Sequence, residues 1–456
     1  MTTLTTRAGL ALLLALTPVA RLTAQHAPAS FARVDSALLD ELRRMNTPGA
    51  AIAIVSGDSV VYARGFGRTS ADGQTPVTPG TEFRIASVTK VFTAAMLVAL
   101  AESGRLDLDA PLGDRLGALP DSLRAITPHQ LLSHTAGLIM APVAAAPADS
   151  DVDLAAAMPR VMPRAAFAQR GEIFSYSNLG YQLAGRMIEV AGGQPYADQV
   201  RSTILAPLGM EGTTFDSATA ARIGLASGTA GPPTPATVGW GPTTWPFAGL
   251  YSNVLDLSRF AIAFMNGGKY KGKQVLSPSA IARISRPVAP FSSGEGDYGY
   301  GVRVYRHRGV DVVEHGGFGQ NGYRSLLYMV PSRRVAVIVL ANRAGRRPYA
   351  VADAALEAVL PNALEPVAAS PAEVAMDSSE MARYVGRYAA GMVVEVSVDG
   401  GVLTLHQGMV AMPIRKMADG RFVAQTEEGG AWVAFVAAGD GRVKYLHTNM
   451  RAFRRL

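Results

Sequence analysis

Apolar residues recur along the chain with two different spacings, and each spacing predicts a different kind of element. Recurrence every three to four residues predicts helices, which we expect at residues 31–42, 179–191, 195–205, 254–265, 278–284 and 349–360. Alternating or short apolar runs predict strands at residues 50–55, 60–66, 299–305, 310–314, 323–330 and 335–341. Strands at both ends with helices between them indicate one sheet assembled from distant segments, an α+β fold.

The pattern changes after residue 360. Residues 361–379 are rich in Ala, Pro, Ser and Glu without a sustained period, and we interpret them as a linker. Residues 380–456 then predict a small all-β domain, because short alternating runs are separated by glycine turns. Its expected strands are residues 393–398, 402–406, 421–425, 431–436 and 443–447.

The N-terminus has the pattern of an export signal. Arg7 precedes an apolar run over residues 8–20, which is too short to span a bilayer but suits a secretory signal. We therefore expect residues 1–24 to be a signal peptide cleaved after Ala24, with an uncleaved anchor as the alternative. The mature protein is expected to be secreted or periplasmic, without a membrane span after cleavage.

Composition narrows the class of protein. The 456 residues are 48% hydrophobic and 17% charged, and the net charge of +7 comes mainly from scattered arginines. No basic run alternates with aromatic residues, so we expect no nucleic-acid partner. Cysteine is absent, which excludes disulfides, thiolate metal sites and a cysteine nucleophile.

Ser87 and Lys90 form the first candidate catalytic pair. They lie three residues apart at the start of an apolar run, so both side chains share one face of a predicted helix. A desolvated lysine can take a proton from serine, and a helix start favours an oxyanion there. The alternative is a serine N-cap beside a buried lysine. Only six lysines occur, and only Lys90 has a serine three positions before it.

The tripeptide Tyr-Ser-Asn occurs twice. At residues 176–178 it precedes a predicted helix, where Tyr176 could act as a general base and Asn178 could bind a substrate amide. At residues 251–253 we predict that Asn253 is a helix N-cap, because an acidic residue follows three positions later. Asn178 has the same structural alternative.

His315 begins the third candidate segment, His-Gly-Gly-Phe, which follows the strand expected at residues 310–314. Consecutive glycines at a strand end would let a substrate backbone approach and would leave N–H groups for an oxyanion. His315 could carry a proton there. The alternative is an ordinary glycine turn.

Together these three motifs resemble the serine β-lactamase and penicillin-binding-protein superfamily, closest to its class C β-lactamase and esterase-like branch. The order matches: Ser87-x-x-Lys90, Tyr176-x-Asn178, then His315-x-Gly317. The resemblance spans about residues 31–360 and implies a serine hydrolase domain in which a β-lactamase-like antiparallel sheet, flanked by helices, lies beside a helical subdomain. The C-terminal module resembles a lipocalin-like β-barrel.

The resemblance also implies roles. Ser87 would be the acylated nucleophile, with Lys90 and Tyr176 as its proton partners, and which of the two is the acylation base stays open. Asn178, His315 and Gly317 would contact the substrate. The backbone N–H groups of Ser87 and Phe318 would form the oxyanion hole. No cofactor or metal is implied.

The histidine at position 315 bears on the substrate. Many members have lysine there, whose fixed charge helps to bind the carboxylate of a penicillin, whereas histidine is only partly charged near pH 7. We therefore expect an exported serine hydrolase that acts through an acyl-enzyme on an ester, peptide or amide. A true class C β-lactamase and a non-catalytic binding or sensing protein are the alternatives. Specificity is expected to depend on a loop over residues 141–170 and on residues 231–246.

A metallohydrolase is the remaining alternative. The seven histidines include no His-x-His or His-x-x-x-His pair, so no zinc-binding spacing is present. The expected partner is thus a small-molecule or peptide substrate, and the sequence does not indicate an oligomeric state.

Overall fold

A computed structural model describes residues 31–456 except 118, 141–152, 159–163, 230–240, 295, 320–321, 344, 346–347 and 427–428. The predicted signal peptide lies outside the described residues, as do most of the expected specificity segments. Within residues 141–170 the structure describes a short helix, Leu154–Ala157.

An antiparallel sheet forms the centre of the larger part of the molecule. Its strands, in spatial order, are Ser59–Gly67, Gly49–Ser56, Val335–Ala341, Tyr323–Val330, Val310–Gly319, Arg303–His307, Asp297–Tyr298 and Ala289–Pro290. The N-terminal hairpin therefore pairs with a strand almost 300 positions later, since Ala50 lies opposite Ala341. This confirms the prediction of one sheet built from distant segments.

Both faces of this sheet are covered by helices. Along the strand Gly49–Ser56, which is the first in the chain, Ile52 and Ile54 face the helices Ala32–Arg44 and Tyr349–Val359. Ala53 and Val55 belong to the core on the other face. Successive strand residues point to opposite faces, so a strand buried on both sides has an uninterrupted apolar sequence. On the second face the helix Val254–Met265 packs against the first strand.

The remaining helices form a subdomain beside this second face. They include the long apolar helix Thr89–Glu102, which packs against Asn178–Gly192. The other α-helices are Asp121–Arg124, Pro128–Leu132, Leu154–Ala157, Tyr196–Val200, Ala206–Leu208, Ser217–Ile223, Trp245–Ala248 and Pro278–Ser285. A π-helical turn, Arg201–Leu205, continues the helix that begins at Tyr196.

The C-terminal region is a closed eight-stranded β-barrel. Its strands are Gly386–Ala389, Val393–Asp399, Val402–Gln407, Val410–Met417, Phe422–Thr426, Gly429–Ala437, Val443–Thr448 and Arg451–Arg455. Pairing of the fourth strand with the fifth closes the barrel. The helix Ser378–Tyr384 precedes it, and Glu373–Val374 adds a short edge strand. The all-β prediction is confirmed, although three barrel strands were not predicted.

One strand prediction was wrong in its end point. The strand beginning at Val310 does not stop at Glu314 but continues through Gly316 and Gly317 to Gly319, and from Val313 onwards it pairs with the strand Tyr323–Val330. The glycines thus lie within the strand, not in a turn after it. A Cβ atom on Gly317 would stand 2.2 Å from Ser325 Oγ and 2.3 Å from the Ile85 carbonyl oxygen, so only glycine lets the strand pass this close.

Candidate active site

Ser87 lies in a short 3₁₀ turn, Ala86–Val88, that leads directly into the helix Thr89–Glu102. The residue before it, Ala86, has a φ of 45°. A left-handed conformation is unfavourable for alanine by about 1 kcal/mol or more, and such strain concentrates at functional sites. The residue that precedes this turn is fixed by a backbone hydrogen bond, in which the Ile85 N–H donates to the Leu250 carbonyl at 3.0 Å.

Lys90 lies at the centre of the site and is fully buried. Its Nζ is 3.3 Å from Ser87 Oγ, 2.8 Å from Asn178 Oδ1 and 3.0 Å from the Phe247 carbonyl oxygen. Charged lysine would donate to all three oxygens. Neutral lysine has two N–H groups, enough for the two carbonyl-type oxygens, and a lone pair left for the Ser87 hydroxyl.

Two effects on the charge of Lys90 oppose each other. Burial lowers the pKa of Lys90 well below its usual value. The Tyr176 ring, whose centroid is 4.7 Å from Nζ, favours the charged form through a cation–π contact. Because no carboxylate of the described residues pairs with Lys90, the desolvation cost dominates. Lys90 is thus suited to accept a proton.

Tyr176 lies next to Lys90, with its ring centroid 4.7 Å from Nζ. Its ring is 4.3 Å from that of His134 and 6.2 Å from that of His315, measured between centroids. The half-buried tyrosine therefore stands between the Ser87–Lys90 pair and the His315 strand. The structure brings the three predicted motifs together in one cleft.

Asn178 is not a helix cap. The cap of the helix Asn178–Gly192 is Ser177, whose Oγ accepts from the Gly180 N–H at 3.1 Å. Because Asn178 does not cap the helix, its side-chain Oδ1 can accept from Lys90 Nζ, 2.8 Å away. In the second copy Asn253 is the cap, accepting from the N–H groups of Leu255 and Asp256, which confirms that prediction.

The strand with His315 and Gly317 forms the other wall of the cleft. The neighbouring strand Arg303–His307 pairs only with residues up to Glu314, so the edge beyond it is not covered by that strand. Gly317 lies against Ile85 and Ala86, which brings the backbone of Phe318 beside the Ser87 turn. Phe318 is 55% exposed. The proposed oxyanion hole stays a prediction.

His315 is buried and held at both ring nitrogens. Nδ1 is 2.7 Å from the Gly316 carbonyl oxygen, and Nε2 is 3.0 Å from the Tyr298 hydroxyl. A carbonyl only accepts, so Nδ1 carries the proton. When the ring is neutral, Nε2 is the acceptor and the Tyr298 hydroxyl donates to it. His315 is therefore built into a hydrogen-bonded wall of the cleft.

Two contacts of the site had no local sequence signal. The Phe247 carbonyl is a backbone group, and any residue could supply it. His134, with a φ of 57°, accepts the Ser177 N–H at Nδ1, 3.1 Å away, and so positions the loop that bears Tyr176. The sequence around His134, with two leucines before it and a glycine three residues after it, does not indicate this contact.

The described residues contain no group of three or more histidine, aspartate and glutamate side chains placed to hold a metal ion. None of the described helices is long and apolar enough to cross a membrane.

Residues 35–361 match the family model described as Beta-lactamase. The chain belongs to the β-lactamase family. Penicillin-binding protein 4 of Amycolatopsis lactamdurans is 31% identical over 322 residues, covering 65% of this chain and 81% of that protein. A D-aminopeptidase of Gluconobacter oxydans (strain 621H) is 27% identical over 323 residues, or 68% of this chain and 59% of that protein. The chain is a serine hydrolase of this superfamily.

Solved structures resemble the chain beyond the hydrolase domain. The crystal structure of SurE with D-Leu has a TM-score of 0.71 and 26% identity, and covers 93% of this chain and 100% of that one. A class C β-lactamase from Rhodobacter sphaeroides has a TM-score of 0.60 and 21% identity over 72% of this chain and 99% of that one. That likeness shows the fold alone.

Proposed function

We propose that this chain is an exported hydrolase that forms an acyl-enzyme at Ser87 and cleaves amide or ester bonds in small, peptide-like substrates that contain D-amino acids. The observation that carries the chemistry is the environment of Lys90. A fully buried amine with two carbonyl-type acceptors and one serine hydroxyl has the arrangement of a neutral base aimed at a nucleophile.

In the proposed acylation, Ser87 Oγ attacks the substrate carbonyl carbon while Lys90 takes the hydroxyl proton. The tetrahedral intermediate collapses, the bond to the leaving group breaks, and Tyr176 gives that group a proton. Lys90 returns its proton to Tyr176, whose ring lies against Nζ. A water molecule then releases the acyl group by the same steps, with the water in place of Ser87.

The substrate class rests on relatives. A D-aminopeptidase, a penicillin-binding protein and a structure containing D-Leu are all similar to this chain. These names support D-configured peptide substrates for it. The buried His315, held by Tyr298 and Gly316, supports an esterase or peptidase over a dedicated β-lactamase.

Export is proposed from the sequence of residues 1–24 alone. Expression of the full chain in a bacterial host, followed by fractionation and N-terminal sequencing, tests it. Mature protein that begins near Gln25 in the periplasm or medium supports export, and full-length protein retained in the cytoplasm contradicts it.

Active-site labelling tests the nucleophile. A fluorophosphonate or a labelled penicillin is expected to modify the purified protein stoichiometrically, and Ser87→Ala is expected to abolish the labelling. The exposed Ser36, on the first helix, provides the matched control Ser36→Ala. Labelling that survives Ser87→Ala would overturn the assignment.

Substrate profiling tests the rest of the proposal. D- and L-alanyl p-nitroanilides, a short-chain p-nitrophenyl ester and a cephalosporin are compared by kcat/KM. Faster turnover of the D-anilide than of the L-anilide supports the proposal. Preference for the cephalosporin would make the chain a β-lactamase, and neither labelling nor turnover would make it a binding protein.

A further inference from the structure

A second pocket lies at the end of the central sheet opposite the candidate active site. The strand Tyr323–Val330 begins across from Gly319, in the wall of the cleft, and ends at the turn Pro331–Arg333. Its eight residues span about 25 Å at the usual rise of a strand. A cavity of about 610 Å³ opens beside the next residue, Arg334, and pockets of this size commonly hold small molecules. A ligand bound there would lie far from Ser87.

Two turns of the central sheet form one side of this pocket. Asp58 lies between the first two strands of the chain, and Arg334 lies between the last two strands of the sheet along the chain. Asp58 Oδ1 accepts hydrogen bonds from the Arg334 guanidinium and from the Asn266 side chain. The Gly57 N–H donates to the Arg334 carbonyl at 2.9 Å. The two turns and the helix end at Asn266 are thus fixed to each other.

Lysines form the other side of the pocket. The chain has six lysines, and three of them lie within residues 269–273. Lys269 and Lys271 line the pocket, and both are exposed. Among the described residues neither has a carboxylate within 4.0 Å, whereas Lys416 and Lys444 each pair with a glutamate. The positive charge on this side of the pocket is therefore not neutralised by the described part of the protein.

Two of the lining cations occupy backbone positions that disfavour them. Lys271 has a φ of 45° and begins a two-residue hairpin loop that Gly272 completes, where Asn, Asp or Gly is the usual first residue. Arg334 has a φ of 52° after a 3₁₀ turn, where Gly or Asn is usual. The left-handed conformation is unfavourable for long side chains, and such strain concentrates at functional sites. Both positions therefore keep a cation at a cost in stability.

Arg308 is a third cation in this conformation, and its contacts explain it. Its φ is 47°, and its guanidinium pairs with Glu357 at 2.8 Å and donates to the Glu365 carbonyl at 2.9 Å. Lys271 has no such anionic partner among the described residues. Its Nζ lies 5.5 Å from the centroid of the Tyr270 ring, a contact that leaves the charge without a counterion. The fold thus accounts for the cation at position 308 but not for the one at position 271.

Arg334 has a buried donor that the fold does not satisfy. Its Nε is shielded from solvent and makes no hydrogen bond to the described residues. Buried donors in folded proteins are nearly always satisfied, by a bound water or ion where the protein offers no acceptor. Among the described lining residues, three cations (Lys269, Lys271 and Arg334) face one carboxylate, Asp58, which leaves a charge of +2. The pocket is therefore suited to an anion that carries two charges.

We propose that this pocket binds a phosphate group. A phosphate monoester carries close to two negative charges at neutral pH and has three acceptor oxygens, and lysine and arginine are the side chains that bind it best. The group belongs either to a soluble phosphorylated compound or to a phospholipid headgroup, which present the same oxygens. This inference goes beyond the proposed hydrolase activity and does not depend on Ser87.

Glycerol 3-phosphate, with glycerol as the uncharged control, tests the site in the soluble form. Calorimetric titration of the full chain at constant ionic strength is expected to show one saturable site for glycerol 3-phosphate and none for glycerol. Lys271→Asn should weaken this binding roughly 10- to 100-fold, the loss of a hydrogen bond to a charged group. The same variant should melt at a higher temperature, because asparagine before Gly272 suits the hairpin loop. Weaker binding in a more stable protein cannot result from misfolding.

Two further variants separate the pocket from the net charge of the protein. Lys269→Gln removes another lining cation and should also weaken the binding of glycerol 3-phosphate. Arg308→Asn is the matched control, since it removes one positive charge at the same backbone conformation outside the pocket, and it should leave the binding unchanged. Equal weakening by Lys271→Asn and Arg308→Asn would overturn the inference, because only the overall charge would then matter.

Vesicles distinguish the two sources of the phosphate. Phosphatidylcholine vesicles with and without phosphatidic acid, which carries the same glycerol phosphate, are sedimented with the protein. Binding that requires phosphatidic acid and is lost in Lys271→Asn assigns the site to a lipid headgroup. Binding of glycerol 3-phosphate without vesicle binding assigns it to a soluble compound. No saturable binding to either probe would overturn the inference, while fluorophosphonate labelling of Ser87 tests the proposed function independently.

Discussion

The two Tyr-Ser-Asn segments have the same sequence and different tasks. In the segment 176–178 the helix is capped by Ser177, so Asn178 is the first helical residue and its amide reaches Lys90. In the segment 251–253 the cap is Asn253 itself, and its Nδ2 donates to Glu82 at 2.7 Å. A shift of one residue in the helix start decides whether the asparagine faces the cleft or closes a helix.

The difference comes from tertiary neighbours. The first segment is held by backbone contacts, since Tyr176 donates to Met450 and Ser177 donates to His134. The second lies in a short strand pair with Phe83–Arg84, just before the Ser87 turn. One copy contributes side chains to the candidate site, and the other packs beside the turn that carries Ser87. Substitutions at matched positions of the two segments test this division of tasks.

The largest difference in kcat/KM is expected between substitutions of the two tyrosines, Tyr176 and Tyr251. Tyr176→Phe removes the proposed proton carrier and is expected to lower kcat/KM by about 10²- to 10⁴-fold, the usual contribution of a general acid or base. Tyr251→Phe, in a buried strand, should change kcat/KM less than about threefold. Steady-state kinetics on the D-anilide measure both. Similar losses in the two variants would contradict the division of tasks.

Substitution of the two asparagines is expected to affect different properties, namely activity at Asn178 and stability at Asn253. Asn178→Ala removes an acceptor from buried Lys90 and is expected to lower kcat/KM by about 10- to 100-fold, since an unsatisfied buried group costs about 1–3 kcal/mol. Asn253→Ala should keep most activity and lose about 1 kcal/mol of unfolding free energy as a lost cap. Urea unfolding and kinetics are measured side by side. If Asn253→Ala lost the activity instead, the assignment of the two copies would be reversed.

Lowering the pH should destabilise the folded protein near the segment 176–178, through the buried side chain of His447. This buried ring lies 5.9 Å from Phe174, and neither nitrogen has a hydrogen-bond partner among the described residues. Burial lowers the pKa of His447 from 6.5 to about 4. Between these values the unfolded chain binds a proton that the folded chain does not, so stability falls as pH drops, by about 2 kcal/mol from pH 7 to pH 5.

His447→Leu should therefore flatten the pH dependence of unfolding by about that amount. His134, whose pKa burial also lowers well below its usual value, acts in the same direction and remains in the variant. Urea unfolding at pH 5 and pH 7 compares the variant with the wild type. An unchanged difference between the two pH values would remove His447 from this account.

The two copies are expected to differ least at their serines. Ser177→Ala loses the helix cap and the bond from Ser177 Oγ to the Ile139 carbonyl at 2.7 Å, for about 1–2 kcal/mol of unfolding free energy. Ser252→Ala loses a hydroxyl contact with Thr213 at 2.8 Å, worth about 1 kcal/mol. Only Ser177→Ala should also lower kcat, because it releases the helix start that orients Asn178.

Much of the fold could be predicted because the central strands and helices have strong periods. The bounds predicted for the strand Tyr323–Val330 and the helix Val254–Met265 are those observed. The barrel was harder. Val410–Met417 contains Pro413, and Arg451–Arg455 has three arginines in five residues, so neither strand has a clear alternation.

The candidate site could be predicted only as far as its motifs are local. Ser87 and Lys90 are one helical turn apart, and their spacing in the sequence is also their spacing in space. Contacts such as Lys90 Nζ with the Phe247 carbonyl, or the Tyr176 N–H with the Met450 carbonyl, depend on backbone groups from distant parts of the chain, which no side-chain pattern encodes. Which copy of Tyr-Ser-Asn faces the cleft depends on those contacts, and the tripeptide alone could not decide it.

The hydrogen bond between the Met450 carbonyl and the Tyr176 N–H joins the barrel to the loop that carries Tyr176. We therefore expect ligand binding at that loop and the stability of the barrel to be linked. If a ligand tightens the Tyr176 loop through this bond, linkage requires that it also stabilise the barrel, and a substitution that loosens the barrel would then weaken binding at the site by the same factor. The barrel is then more than an appendage. We expect its folding free energy to contribute to the affinity of the site for substrate.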